Sequence, residues 1–256
     1  MISKSTIKLI KSLAQKKIRV KENLFFVEGD KNVSEVLKSD FTVEKLFATN
    51  SFLLDNKQYI TKAQLMVEVN HAEIKKASIL KNPQNSLAIC SLPILKKLPE
   101  KLNNNVSLFL DEIQDPGNLG TIIRICDWFG IEYLFSSPNT VDFYNPKVIQ
   151  ASMGSFSRVQ FWNASFNTVA KIAQNSQTQI FGAFLDGQNI YNENLPQKAL
   201  LVVGNEGNGI GDEIKNKIDK KIKIPEFTFN KNGAESLNVS VATAIICSEF
   251  KRKIFS

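Results

Sequence analysis

After residue 105 the chain alternates short apolar runs with stretches of helical periodicity. The runs predict strands at 106–111, 131–135, 159–162, 180–185, 200–203 and 221–224. The intervening stretches predict helices at 120–129, 146–155, 168–174, 212–218 and 237–251. Strands that are apolar throughout, rather than at every second residue, are typical of a parallel sheet covered by helices on both faces. We therefore predict an α/β fold with a parallel sheet.

The first hundred residues predict a smaller α/β unit. We expect strands at 24–27, 43–48, 64–69 and 86–91, and a helix at 30–38. A polar stretch with Pro99 and three consecutive asparagines follows and is typical of a linker. We predict a domain at 1–98, a linker at 99–105 and a second domain at 106–256.

The formal charge of +7 lies entirely in the first hundred residues, which carry 17 Lys and Arg against 10 Asp and Glu. Residues 1–21 contain no acid and show apolar residues at helical spacing, which predicts an amphipathic helix with a cationic face. Such a face attracts phosphates. A solvated helix without a partner explains the pattern equally well, and a transit peptide less well. The candidate RNA contacts are Lys4, Lys8, Lys11, Lys16, Lys17 and Arg19.

Several classes of protein are disfavoured by the composition. The chain has a single histidine, His71, which argues against serine–histidine and cysteine–histidine catalysis. Its three cysteines are scattered and lack the spacing of metal ligands. We expect no metal and a reducing, cytoplasmic location. No apolar run approaches the ~18 residues of a membrane span, so we expect no membrane role.

Ligands of parallel α/β sheets bind outside the carboxyl ends of the strands. Three loops at such ends are rich in functional groups. The first, after Asp111, contains the pattern N-x-x-T-x-x-R, in which Asn118 is suited to cap a helix and Arg124 stands among apolar neighbours. An arginine in such surroundings usually has an anionic partner.

The second loop follows Val203 and contains the pattern G-x-E-x-x-G, whose glycines permit close backbone approach to a ligand. The third follows Ile224 and ends in E-S-L-N-V-S-V-A, where Ser236 is a candidate helix cap. Each loop alone is equally compatible with an ordinary turn or cap.

Together, in this order, the three patterns closely resemble the signature motifs of the SpoU family of RNA ribose 2′-O-methyltransferases, in the SPOUT superfamily. The resemblance covers about residues 106–256 and implies a trefoil knot, in which the C-terminal chain threads an earlier loop. It extends less specifically to Phe25-Phe26-Val27-Glu28-Gly29, which resembles the start of a small N-terminal domain of ribosomal-protein-like fold that binds RNA.

The resemblance also implies a cofactor, S-adenosyl-L-methionine, and roles for particular residues. The positions matching the cofactor site are Val203, Gly204, Gly207, Ile224 and Leu237. Those matching the catalytic set are Asn118, Arg124, Glu206, Ser236 and Asn238. We expect Arg124 to stabilise the developing alkoxide rather than to act as a base, since guanidinium stays protonated in proteins. Glu206 either accepts a proton or only anchors its loop.

We expect a homodimer, both because members of the family complete their sites with two subunits and because the last helix is apolar beyond one stripe. The separate N-terminal domain favours ribosomal RNA over the alternative, transfer RNA. An RNA-binding module without catalysis and a nucleotide-dependent oxidoreductase are the alternatives from other classes. The loop at 226–233 is longer than is typical of the family, which bears on the choice of substrate.

Overall fold

The structure, a computed structural model, describes residues 1–94, 96–227 and 235–252. Its helices in this part are α1 (Lys4–Ser12), α2 (Lys16–Glu22), α3 (Asp30–Lys38), α4 (Asn50–Asp55), α5 (His71–Ala77), α6 (Pro116–Trp128), α7 (Pro146–Ser152), α8 (Phe166–Asn175), α9 (Asp212–Lys215) and α10 (Val239–Arg252). Its strands are β1 (Leu24–Glu28), β2 (Val43–Ala48), β3 (Ala63–Glu68), β4 (Ser86–Ser91), β5 (Val106–Leu110), β6 (Tyr133–Ser136), β7 (Gln160–Asn163), β8 (Gln179–Asn189), β9 (Ala199–Val203) and β10 (Lys220–Lys223).

The chain packs as two compact units. Unit 1 comprises the described residues of Met1–Leu95 and Asp142–Arg158, and unit 2 those of Lys96–Val141 and Val159–Ser256. Residues 142–158 lie within the predicted domain at 106–256, yet they pack with the N-terminal residues.

Unit 2 is built on a six-stranded sheet in the order β10-β8-β9-β5-β6-β7. Every neighbouring pair is parallel, which confirms the predicted α/β class. The strands are apolar throughout because both faces are covered, as the fully buried Phe109 and Phe135 show. Each strand lies within a few residues of its predicted position, although β8 continues to Asn189 and α9 ends already at Lys215.

Unit 1 contains a four-stranded sheet in the order β1-β4-β2-β3, together with two helices that the sequence did not predict, α4 and α5. On one face, Phe26 lies in a cluster with Ile10 of α1. On the other, Phe25 packs against Tyr144 and Phe156, at ring-centroid distances of 4.9 and 6.4 Å. Residues 142–158 thus cover a sheet face that would otherwise expose aromatic side chains.

The predicted single helix over residues 1–21 is wrong, because the chain forms α1 and α2 with a turn between them. Arg19 explains the break. Its side chain is buried, and its guanidinium donates to the carbonyl oxygens of Leu13 and Ala14 (2.8 and 3.0 Å) and to Asp142 Oδ1 (2.9 Å). Carbonyls at the end of α1 are thereby satisfied by a side chain instead of by further helical turns.

The predicted knot involves the C-terminal chain, which contains the segment between β10 and α10. That segment includes residues 228–234, which lie outside the described part, and the knot stays a prediction. Among the described residues, no helix is long and apolar enough to cross a membrane.

Candidate active site

Two neighbouring strands, β5 and β9, end at the same edge of the parallel sheet, and β10 ends there two strands beyond β9. The loops that follow β5 and β9 lead into α6 and α9, and the chain after β10 leads to α10. The three patterns singled out in the sequence therefore share one edge of unit 2, as the strand arrangement requires.

A chain of hydrogen bonds joins the three motifs. The Nδ2 of Asn238 donates to the Oδ1 of Asn118 (3.0 Å), and the Nδ2 of Asn118 donates to the Oε1 of Glu206 (2.6 Å). Because both ends of the Asn118 amide are used, its orientation is fixed by its partners. Asn118 and Asn238 are 120 residues apart in sequence, so this arrangement is a product of the tertiary fold.

The helix caps differ from those predicted. Asp115, not Asn118, caps α6: its side chain accepts from the backbone N–H of Asn118 (2.8 Å). Asn238, not Ser236, caps α10, since its Oδ1 accepts from the N–H and the hydroxyl of Ser240 (3.0 and 2.6 Å). Capping by Asp115 leaves the Asn118 side chain available for Glu206 and Asn238.

Ser236 is exposed and makes no hydrogen bond with another residue of the described part. The structure therefore brings Asn118, Glu206 and Asn238 together and leaves Ser236 outside their chain of contacts.

Arg124 lies on α6 but not in this network. Six residues of an α-helix correspond to a rotation of about 240° and a rise of about 9 Å, so Arg124 and Asn118 occupy different sides of α6. The side chain is exposed and forms no ion pair or hydrogen bond within the described residues. The buried face of α6 consists of neighbours such as Ile122, Ile123 and Cys126, which explains the apolar sequence around the arginine.

The glycine-rich loop after β9 folds back on itself. Asn205 and Gly209 form an antiparallel bridge with N···O distances of 3.0 and 2.9 Å. A Cβ atom at Gly204 would lie 2.3 Å from the carbonyl carbon of Gly209, so the tight crossing excludes any side chain there. Glycine at this position thus serves close backbone approach, as its pattern predicted, but the approaching partner is the loop itself.

The predicted cofactor residues surround the end of β9 and the start of α10. Val203 is buried, Ile224 is half-buried, and Gly207 is exposed. Leu237, beside Asn238, is an apolar residue that leaves 49% of its surface exposed. Exposed apolar surface suits the adenosine part of S-adenosyl-L-methionine. Residues 228–233 of the long loop lie outside the described part.

Asp111 is a residue near the site that the sequence patterns did not single out. Burial raises the pKa of its carboxyl above the ordinary value, while a hydrogen bond from the backbone N–H of Gly211 (2.9 Å) opposes that rise. A cleft of about 260 Å³ opens beside it, lined also by the carboxylates of Glu112, Asp212 and Glu213. None of the predicted catalytic or cofactor residues lines this cleft. The sequence signal that could have pointed to Asp111 is its position directly after an apolar strand.

The predicted RNA contacts lie in unit 1 and divide into two kinds. The five lysines at positions 4, 8, 11, 16 and 17 are exposed. Arg19 is only 2% exposed, so the structure contradicts a phosphate contact there. Its guanidinium is used by two carbonyls and by Asp142.

Comparison with known proteins agrees with both parts of the chain. Residues 105–248 match the family model of the SpoU rRNA Methylase family, and residues 4–88 match that of the MRM3-like substrate binding domain. The chain is 30% identical over 245 residues, 92% of each sequence, to the 23S rRNA (guanosine(2553)-2′-O)-methyltransferase RlmP of Bacillus subtilis.

Two solved structures share the whole fold. A TrmH-family protein from Porphyromonas gingivalis is 38% identical with a TM-score of 0.86 and 99% of each chain covered. The AdoMet-bound rRNA methyltransferase of Sinorhizobium meliloti is 26% identical with a TM-score of 0.86, and 100% of this chain and 98% of that one are covered. These likenesses confirm the fold class and the N-terminal substrate-binding domain.

Proposed function

This chain belongs to the SpoU rRNA methylase family, and we propose that it methylates a ribose 2′-hydroxyl of ribosomal RNA. Its cofactor is S-adenosyl-L-methionine. The observation that supports the activity most directly is the hydrogen-bonded series Asn238–Asn118–Glu206, which joins the three motifs at one edge of the sheet. The ribosomal substrate is supported by the similarity to RlmP and by the N-terminal substrate-binding domain.

When bound, the cofactor supplies an electrophilic methyl group, and the protein must orient the ribose oxygen and accommodate its proton. Asn118 orients Glu206, whose carboxylate is exposed to an incoming substrate. Asn238 fixes Asn118 and at the same time begins α10. The guanidinium of Arg124 provides the positive charge that stabilises a developing alkoxide.

Arg124 cannot join Asn118 on the same side of α6, so we propose that the arginine of a second copy completes each site in a homodimer. The exposed surface of the helices supports this proposal. α6 and α10 pack against each other, and Trp128, one turn beyond Arg124, leaves 85% of its surface exposed. Val241 of α10 is 48% exposed. A second copy that covers these side chains would bury apolar surface, and we propose that the same arrangement brings Arg124 to the partner's Glu206.

The exposed lysines of α1 and α2 are proposed to contact RNA phosphates. Unit 1 carries the match to a substrate-binding domain, and Lys4, Lys8 and Lys11 lie on the exposed side of one helix. A ribosomal substrate and three buried free cysteines also agree with the cytoplasmic location that the sequence predicts.

The decisive experiment measures transfer of a labelled methyl group from the cofactor to transcripts of ribosomal and of transfer RNA. Resistance of the modified position to alkaline cleavage identifies a ribose 2′-O-methyl group. We expect label in ribosomal RNA and none when the target nucleotide is a 2′-deoxynucleotide. Label only in transfer RNA would contradict the proposed substrate, and no label in either would contradict the proposed activity.

Subunit complementation tests the composite site. Arg124→Ala and Glu206→Ala chains, each inactive alone, are co-expressed with different tags. Random pairing should restore about a quarter of wild-type activity if the two residues act in different subunits. No restored activity, or a monomer by light scattering at micromolar concentration, would contradict the proposal.

A further inference from the structure

Asn205 stands between Gly204 and Glu206, and none of the patterns above assigns it a role. Its side chain is half-buried, and every polar group it has is in use. Its Nδ2 donates to the carbonyl oxygen of Glu112 (2.9 Å). Its Oδ1 accepts from the N–H groups of Gly207 (2.9 Å) and Asn208 (3.1 Å). Its backbone N–H and carbonyl pair with Gly209. One residue therefore closes the glycine-rich loop and attaches it to the loop after β5.

Glu112, to which the Asn205 side chain is attached, is itself held by three hydrogen bonds. The N–H of Glu112 donates to Ser137 Oγ (2.8 Å), its Oε1 accepts from Asn139 (2.7 Å), and its carbonyl accepts from Asn205. Glu112 has φ +55°, a left-handed conformation that is unfavourable for a residue with a side chain. Such conformations persist where the surroundings over-determine them, and they concentrate at functional sites.

Glu206 directly follows Asn205 and is bonded to Asn118, which lies six residues after Glu112. The bond from Asn205 to Glu112 thus ties the residue next to Glu206 to the segment that leads into the helix carrying Asn118. Loss of that bond would leave the loop closed by its own backbone bridge and held to Asp111 at Gly211, but would remove the attachment to Glu112 that lies next to Glu206.

We propose that Asn205 is a positioning residue for methyl transfer, which holds Glu206 against Asn118 through its bond to the Glu112 carbonyl. The inference rests on the proposed function and concerns the same site. Asn205 touches neither substrate nor cofactor in this role. It acts through Glu206, whose placement matters because a displacement of about 1 Å in a reacting group can cost about 10²-fold in rate.

Asn205→Asp tests this bond selectively. The carboxylate still accepts from Gly207 and Asn208, but it cannot donate to Glu112 and repels that carbonyl. Asn208→Asp is the matched control, because it introduces the same charge in the same loop, while the Asn208 side chain makes no hydrogen bond within the described residues. Donor binding, RNA KM, kcat and thermal unfolding are measured for both variants on the RNA that the wild type methylates.

We expect Asn205→Asp to lower kcat about tenfold or more, with RNA KM and donor affinity within about threefold of wild type. Asn208→Asp should match the wild type. In a Glu206→Gln background, Asn205→Asp should cause less than half of this loss on a logarithmic scale, because a residue that acts through Glu206 is coupled to it. A purely structural role would lower kcat equally in both backgrounds.

Full kcat in Asn205→Asp, or equal losses with and without the Glu206 carboxylate, would overturn the inference. Failure of the proposed function is distinguishable, because then the wild type itself transfers no methyl group to either class of RNA.

Discussion

Arg19 carries a charge that the sequence suggested for RNA and that the structure uses internally, so its removal should affect stability rather than affinity. Arg19→Ala removes donors from the carbonyls of Leu13 and Ala14 and leaves Asp142 without its closest cation. Breaking a buried ion pair by deleting one partner costs about 3–5 kcal/mol. Because the Asp142 side chain is 20% exposed, water can solvate its carboxylate and offset part of this cost. We therefore expect the free energy of unfolding to fall by about 3 kcal/mol.

Lys17→Ala provides the comparison, because Lys17 lies two residues away in α2 and is exposed. Substitution of an exposed residue changes the free energy of unfolding by about 0.5 kcal/mol or less. If Lys17 contacts a phosphate of single-stranded RNA, its removal should flatten the slope of log affinity against log salt by about 0.7. Arg19→Ala should leave that slope unchanged under conditions where the protein is folded.

Urea unfolding followed by far-ultraviolet circular dichroism measures the stability difference. With a urea dependence of about 2 kcal/mol/M, a loss of 3 kcal/mol lowers the midpoint by about 1.5 M. Trp128 and Trp162, the two tryptophans of the chain, both belong to unit 2, so their fluorescence reports that unit specifically. We expect Arg19→Ala to lower the urea midpoint less when unfolding is followed by tryptophan fluorescence than when it is followed by circular dichroism. If Arg19→Ala were as stable as Lys17→Ala and flattened the salt slope, the internal role of Arg19 would be refuted.

Three further predictions concern unit 2. In a single-turnover methyl-transfer assay, Arg124→Ala should lower the rate of methyl transfer about 10²-fold or more with little change in donor affinity. Arg124→Lys should restore little of that rate, because an ammonium lacks the planar fork of a guanidinium. A near-normal rate in Arg124→Ala would contradict the catalytic role of Arg124. Burial raises the pKa of Asp111, so ionisation destabilises the folded state, and stability present at low pH is lost as the pH rises through the folded-state pKa. Asp111→Asn should therefore raise the melting temperature at pH 7 and lose this advantage below the ordinary Asp pKa of about 4; an equal effect at both pH values would argue against that cause. Gly204→Ala should destabilise the protein by about 1–3 kcal/mol, because the added Cβ would lie 2.3 Å from the Gly209 backbone. Gly207→Ala is the control and should melt near the wild-type temperature, because its Cβ would meet its nearest neighbour at 3.5 Å. Equal melting temperatures of the two variants would contradict the close crossing at Gly204.

Much of the fold was predictable because strands and helices are encoded by local periodicity. The apolar runs at 106–111 and 200–203 were sufficient to predict β5 and β9, since strands buried on both faces must be apolar throughout. The shared edge of the three motifs followed in turn, because the carboxyl ends of parallel strands lie together. The helices α4 and α5 escaped notice because they are short, with six and seven residues, and offer little periodicity.

The site was predictable as a set of residues but not as a set of contacts. The spacing N-x-x-T-x-x-R placed Asn118 at the start of the helix that carries Arg124. In the structure both residues lie within α6, where the helix geometry directs them to different sides. Asn118 resembled a cap because its residue type and position suit one, yet Asp115 occupies that role and frees Asn118 for Glu206.

By itself, the sequence determined the two α/β parts, the order of the motifs and the concentration of positive charge before residue 101, because each is written in neighbouring residues. Only the tertiary structure decided that Arg19 is buried against Asp142, 123 positions away, and that residues 142–158 cover the sheet of unit 1. A cation in a helix looks the same in sequence whether it faces water or a distant carboxylate. What distinguishes the two is the partner, and long-range packing alone brings the partner into reach.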